Sequence, residues 1–209
     1  QAAVAELAPM REWAESLEAL AGPPDQRLDA APFLEFTRRK PLVTTPVVVL
    51  MHVFPLSVLG LFVAAKLGAL PDSVWTAALG LQTIVAFGFK KQCTDAFQLV
   101  AARRGYAEAF QRLLVLVEQG RFESPLLRRL QERVRVEGRA PSQYMARLDR
   151  WAGLAEFYTQ FPVHFVVDLL TLWDLHVLWR LERWNADVGK GLEDAFEALG
   201  EVEALASFA

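Results

Sequence analysis

The feature that most constrains the fold is a long stretch without charged side chains. No Asp, Glu, Lys or Arg occurs between Pro41 and Ala65. The 20 residues from Pro46 to Ala65, rising about 1.5 Å each in a helix, match a hydrocarbon core of roughly 30 Å. Thr44 and Thr45 predict an N-cap, with a proline in the first turn where its missing N–H does no harm. The sequence therefore predicts an apolar helix, kinked at Pro55, that is long enough to cross a membrane.

A second uncharged run extends from Val74 to Phe89, after a turn containing Pro71 and Asp72. Basic residues flank the two runs at their outer ends: Arg38, Arg39, Lys40, Lys90 and Lys91. By the positive-inside rule these ends face the cytoplasm. The pattern predicts that residues 41–90 form a helical hairpin inserted from the cytoplasmic side. The alternative is a helical hairpin buried in a soluble protein.

The rest of the chain has the spacing of amphipathic helices, and no useful length alternates as a strand does. We therefore expect an all-α fold with long helices, in three segments: an acidic helical segment 1–37, the apolar hairpin 38–91 and a helical region 92–209. Within the last segment the pattern predicts one helix from about Pro162 to Trp184, with Leu169 and Trp173 in the core. A shorter helix is predicted after it, before Gly200.

No catalytic, cofactor-binding or metal-binding residues are predicted for this chain. A single cysteine, Cys93, excludes an internal disulfide or a zinc site built from several cysteines. The stretch "DVGKGLED" lacks the first glycine and the Ser or Thr of a phosphate loop. His164 and Asp168 are spaced to share a helix face, which indicates a polar stripe on a packed helix more than a metal site. We expect the chain by itself to be no enzyme.

The one candidate binding surface is basic. It consists of Arg128, Arg129, Arg133, Arg135 and Arg139. Arginines grouped in this way are typical of a helix facing solvent or a membrane surface, and also of contacts with DNA phosphates. Acidic residues dominate both ends of the chain, which would confine any DNA contact to this basic middle.

Four pieces of the C-terminal half carry a resemblance: "SPLLRRLQERV", "PSQYMARLDRWAGLAEF", "LTLWDLHVLWRLERW" and "LEDAFEALGEVEALASFA". Together they resemble the helical core and lever region of the MutS family, and more narrowly its bacterial branch with transmembrane segments. The resemblance covers residues 92–209, and residues 1–91 in layout only. In that family an ATPase domain follows the segment that corresponds here to residues 203–209.

The resemblance implies a non-catalytic lever that couples an ATPase domain, absent from this chain, to a membrane hairpin. It implies ATP and magnesium as cofactors of the longer protein, a homodimer, and DNA as a partner in a role related to mismatch repair. The expected location is the bacterial inner membrane with cytoplasmic domains, the alternative being the cytoplasm. Two other functions stay open: a soluble DNA-binding repair module with a buried hairpin, and a helical membrane scaffold unrelated to ATPases.

Overall fold

The computed structural model describes residues 2–21, 38, 40–101, 104–157 and 160–209. The described residues form nine helices and no strand: α1 (Ala2–Leu7), α2 (Arg11–Ala21), α3 (Thr45–Lys66), α4 (Asp72–Ala101), α5 (Arg104–Gln119), α6 (Pro125–Arg133), α7 (Pro141–Glu156), α8 (Val163–Thr171) and α9 (Trp173–Ser207). The predicted all-α fold is confirmed. Residues 22–37 of the predicted acidic segment, and Arg39, lie outside the described residues.

The chain divides into two compact units, each made of separate stretches of sequence. Unit 1 comprises residues 1–39, 103–150 and 184–209, and unit 2 comprises residues 40–102 and 151–183. Unit 2 therefore contains the apolar hairpin together with α8 and the first turns of α9. The predicted segments, in contrast, follow one another along the chain.

Helices α3 and α4 form the predicted hairpin. Pro46 occupies the first turn of α3. At the C-terminus of α3, the backbone N–H of Gly68 donates to the carbonyl of Ala65 at 3.0 Å, and that of Ala69 donates to the carbonyl of Ala64 at 2.9 Å. This Schellman arrangement needs a left-handed residue at its centre, which Gly68 supplies with φ 77°. Helix α4 continues past residue 91, where the predicted hairpin segment ends, and reaches Ala101, because lysine is a good helix former and does not end a helix.

The helix predicted from Pro162 to Trp184 is broken. Helix α8 ends at Thr171, Leu172 adopts a left-handed conformation with φ 53° and ψ 44°, and α9 begins at Trp173. Helix α9 then runs for 35 residues to Ser207 and absorbs the shorter helix predicted before Gly200. Leu169 and Trp173 flank the break and are half-buried, so their assignment to the core was wrong.

The core of unit 1 is built around Trp184, which is fully buried. Its indole N–H donates to the carbonyl of Tyr144 at 2.7 Å, and the Tyr144 hydroxyl donates to the carbonyl of Val134 at 3.0 Å. The N-terminus of α6 is closed by Glu6, whose carboxylate accepts the backbone N–H of Ser124 at 2.7 Å. A carboxylate there compensates the free N–H groups at the helix start.

Candidate functional site

Unit 2 has an apolar exterior. Within the described residues, unit 1 exposes two large apolar side chains, Leu126 and Phe208. Unit 2 exposes many more: Leu42, Val49, Val53, Leu56, Leu59, Phe62, Val63, Leu67, Leu70, Val74, Leu81, Ile84, Phe87, Phe161, Val163, Phe165, Val166 and Leu170. A soluble surface rarely carries an apolar patch of this extent unless it contacts a membrane or another molecule.

Helix α8 is amphipathic in the inverse sense. Its two ionisable side chains, His164 and Asp168, are buried, whereas Val163, Val166 and Leu170 are exposed. A helix at a water-facing surface does the opposite, because burying apolar groups is what holds it to the core. The predicted polar stripe of His164 and Asp168 on a packed helix is therefore present, and it faces inward.

The buried polar groups of unit 2 meet at the break between α8 and α9. Asp168 accepts the backbone N–H of Asp174 through Oδ1 at 2.9 Å, and His164 Nε2 lies 2.7 Å from Asp174 Oδ1. From α4, Gln82 donates its amide N–H to the carbonyl of Leu169 at 2.7 Å. A helix break frees N–H groups on one side and carbonyls on the other. These side chains give such groups partners inside the protein.

Two oxygens of this polar cluster have no hydrogen-bond partner within the described residues: Asp174 Oδ2 and Gln82 Oε1. Both side chains are almost completely buried. Among the described residues, no group of three His, Cys, Asp or Glu side chains is placed to hold a metal ion. The arrangement is suited to orienting and stabilising the helix break through hydrogen bonds and one His–Asp pair.

Cys93 lies in unit 2 on α4 and is buried. Burial raises the pKa of its thiol far above the usual range, and the negative charges of Asp174, Asp168 and Glu182 act in the same direction. Because the thiolate is the reactive form of cysteine, this side chain is a poor nucleophile.

The two ends of the hairpin carry polar contacts of different kinds. At the tip, Asp72 Oδ1 accepts both from Lys66 Nζ and from Trp75 Nε1, each at 2.9 Å. At the base, the Glu182 carboxylate accepts the backbone N–H groups of Leu42 at 2.7 Å and Val43 at 3.0 Å. The predicted cap residue Thr44 makes no side-chain capping bond. Glu182 thus supplies the negative charge that favours the start of α3.

The five predicted arginines of unit 1 do not form one free basic surface. Arg133 pairs with three acids of α9: Asp194 at 2.5 Å, Glu201 at 2.6 Å and Glu197 at 3.5 Å. Those bonds raise the pKa of the Arg133 guanidinium.

Arg139 lies 3.9 Å from Asp187, and Arg128 donates through Nε to the carbonyl of Phe122 at 2.8 Å. The side chains of Arg128, Arg129 and Arg135 are exposed. Three of the five arginines therefore remain available to an anionic partner.

The stretch "DVGKGLED" lies within α9, and a helical backbone cannot wrap around phosphate as a phosphate loop does. Gly191 allows close packing instead, because a Cβ at this position would lie 2.5 Å from Val136 Cγ1. The glycine lets α9 pass close to the segment after α6.

No protein-family model, curated protein or solved structure matches this chain. Among the groups described above, sequence reasoning missed Gln82, Glu182 and the break at Leu172. A signal existed for Gln82, since it is an amide side chain in the middle of an apolar run. Nothing in the sequence linked Glu182 to the start of α3.

Proposed function

We propose that this chain is a non-catalytic, membrane-anchored helical module. In this proposal unit 2 is embedded in the bilayer with its basic end at the cytoplasmic face, and unit 1 is exposed to the cytoplasm. The observation that carries the proposal is the outward-facing apolar surface of α3, α4 and α8.

The composition and burial of α3 favour a membrane over a protein interior. Helix α3 has a mean hydropathy of 2.4 over its most apolar window, and it is the one described helix that is both long and apolar enough to cross a membrane. Its buried side chains are Met51 and Val58. A core helix of a soluble protein would bury most of its apolar residues instead.

The polar contacts at the tip fit the far interface of a membrane. Lys66 lies 5.7 Å from the ring centroid of Phe62 and 5.9 Å from that of Trp75. Tryptophan and lysine are favoured where the apolar core meets the headgroups, because each has an apolar body and a polar end.

Two serines of the hairpin give a matched test. Ser57 in α3 and Ser73 at the tip are both exposed, so in water both would be reached by a polar maleimide. We expect Ser73→Cys to be labelled from the side opposite the cytoplasm in oriented vesicles, and Ser57→Cys to be labelled only after detergent is added. The parent chain, with Cys93 buried, gives the background labelling.

Each alternative predicts another result. Equal labelling of both variants without detergent would show that α3 is in water and would refute the anchor. Labelling of Ser73→Cys from the cytoplasmic side alone would refute a spanning hairpin.

We further propose that α9 couples the anchor to a following ATPase domain, as the MutS resemblance implies. The uninterrupted length of α9 supports a coupling role, since long packed helices can carry rigid-body motion. ATP, magnesium, DNA and a homodimer remain predictions for the longer protein. The coding sequence downstream of residue 209 tests the ATPase: a phosphate loop there supports the coupling role, and its absence refutes it.

A further inference from the structure

The direction of α8 follows from its contacts with α4. The rings of Phe165 and Phe87 lie 6.4 Å apart, and four residues further along α8 the Leu169 carbonyl meets Gln82. Residue numbers thus rise along α8 as they fall along α4. Because α4 runs from the tip at Asp72 to the basic end at Lys90, α8 advances from the basic end towards the tip.

The direction of α9 is the reverse. Its His176 ring lies 4.9 Å from the ring of His52 in α3, and Glu182 binds the backbone just before α3 begins. Because α3 runs from the basic end to the tip, α9 runs back to the basic end. Helix α8 and the first turns of α9 therefore form a second hairpin that enters and leaves on the same side.

The chain reverses direction at Leu172, about halfway along the apolar part of α4 between Asp72 and Lys90. Gln82 is ten residues from Asp72 and eight from Lys90, which corresponds to about 15 Å and about 12 Å along α4. The nine residues of α8 also span only ~14 Å, about half of a hydrocarbon core of roughly 30 Å. The second hairpin is too short to cross a bilayer.

We propose that α8 and residues 173–179 of α9 form a re-entrant hairpin that enters only the cytoplasmic leaflet, with the exposed face of α8 against lipid acyl chains. This inference rests on the proposed membrane anchor. Helix α8 packs beside α3 and α4, so its exposed apolar face continues the surface that those helices present to lipid. Its buried His164 and Asp168 and its exposed valines and leucine suit a surrounding medium that is more apolar than the interior of the unit.

The polar cluster explains how such a break is tolerated in lipid. Irregular backbone at membrane depth is stable only when protein groups satisfy it, because no water is available. Leu172 is fully buried, its N–H donates to the carbonyl of Asp168 at 2.7 Å, and Gln82 and Asp168 serve the neighbouring backbone groups. If these backbone groups were exposed to water, solvent could satisfy them instead.

Spin labels at single cysteines test the inference in vesicles of phosphatidylcholine and phosphatidylglycerol. The sites are Val163→Cys, Leu170→Cys, Leu59→Cys in α3 and, as a matched control, Leu126→Cys in unit 1, with Cys93→Ala as the background. Leu170 is 53% exposed and Leu126 is 45% exposed. The readout is the ratio of collisions with oxygen, which concentrates in lipid, to collisions with a water-soluble nickel chelate.

We expect a ratio several-fold higher at Leu170 than at Leu126, and a rise from Val163 to Leu170. Maleimide labelling should also place Gln160→Cys and Arg183→Cys on the cytoplasmic side. A water-like ratio at Leu170 with a lipid-like ratio at Leu59 would overturn the re-entrant hairpin and leave the membrane anchor intact. Water-like ratios at both would overturn both proposals.

Two further outcomes also decide the matter. If Leu170 is shielded from oxygen and nickel alike, a second copy of the chain or another protein covers α8, and lipid does not. If Gln160→Cys and Arg183→Cys are labelled from opposite sides, the segment spans the bilayer and the half-depth hairpin is refuted.

Discussion

The left-handed conformation of Leu172 allows a test that separates a broken helix from a continuous one. At an ordinary buried helix position, glycine is less stable than alanine by about 1 kcal/mol. A left-handed conformation costs a residue with a Cβ roughly 1–2 kcal/mol, and glycine escapes that cost. The loss of stability on going from alanine to glycine should therefore be smaller at residue 172 than at a helical position, or should change sign.

Leu178 provides the matched position. It is buried in unit 2 like Leu172, but it lies inside α9. Truncating either leucine to alanine should destabilise the unit by about 2.7–5.0 kcal/mol. Going on to glycine removes the same methyl group and adds the same backbone entropy at both sites, so these terms cancel in the comparison. What remains is the left-handed term of about 1–2 kcal/mol.

The assay uses Cys93, which is the only cysteine of the chain and is buried in the same unit. In detergent, the rate at which a maleimide labels Cys93 reports how often unit 2 opens. We compare the glycine-to-alanine rate ratio at residue 178 with the same ratio at residue 172. The first should exceed the second by a factor of about 5–30, which corresponds to 1–2 kcal/mol. Equal ratios would mean that residue 172 is helical and that residues 162–184 form the single helix suggested by the sequence.

Three other predictions concern the rest of the chain. Gly191→Ala should lower the melting temperature of unit 1, because the added methyl group overpacks against Val136 and should destabilise the fold by about 1–3 kcal/mol. Gly200→Ala is the control: it has open space around it and should stabilise α9 by up to about 1 kcal/mol. Equal shifts in melting temperature would contradict the close approach at Gly191. Burial raises the pKa of both Cys93 and Tyr144, so the unfolded chain loses these protons first and stability should fall as the pH rises above about 8.5. Denaturant unfolding at several pH values measures how the free energy of unfolding depends on pH. Cys93→Ala should remove the part of that dependence that begins near the thiol pKa of the unfolded chain. An unchanged pH dependence would refute the raised pKa of Cys93. DNA binding by this chain should be weak, independent of mismatches and steeply reduced by salt. Arg129→Gln should weaken it more than Arg133→Gln, because Arg129 is exposed and Arg133 is paired within unit 1. A mismatch preference of tenfold or more, about 1.4 kcal/mol, would instead favour a repair module.

The hairpin could be predicted because its signals are local. A long uncharged run and a proline in its first turn lie within one stretch of sequence from Pro46 to Ala65. Each signal acts on backbone that is only a few residues away, so the interacting groups are neighbours in the sequence and can be recognised there. The same holds for the all-α fold.

The helix break could not be predicted, because its causes are distant or silent in sequence. Leucine carries no preference for a left-handed conformation, and apolar residues keep helical spacing on both sides of Leu172. The partner of the freed Leu169 carbonyl is Gln82, which is 87 positions away. The pairing of Arg133 could not be predicted for a similar reason, since no local pattern indicates that Arg133 faces Asp194 and Glu201, which are 61 and 68 positions away.

The apolar exterior and the polar interior of unit 2 have one physical cause if the surrounding medium is lipid. In water, a free carbonyl such as that of Leu169 would be hydrated at a small cost, and an amide from α4 would add little. In lipid the same carbonyl has no solvent partner, and leaving it unpaired costs several kcal/mol. Gln82, Asp168 and His164 then stabilise the unit from inside, where they have hydrogen-bond partners, and would be unfavourable on a surface that faces lipid. Valine and leucine are favourable on that surface. The inverse amphipathicity of α8 and the buried polar cluster are therefore two results of the same solvation balance.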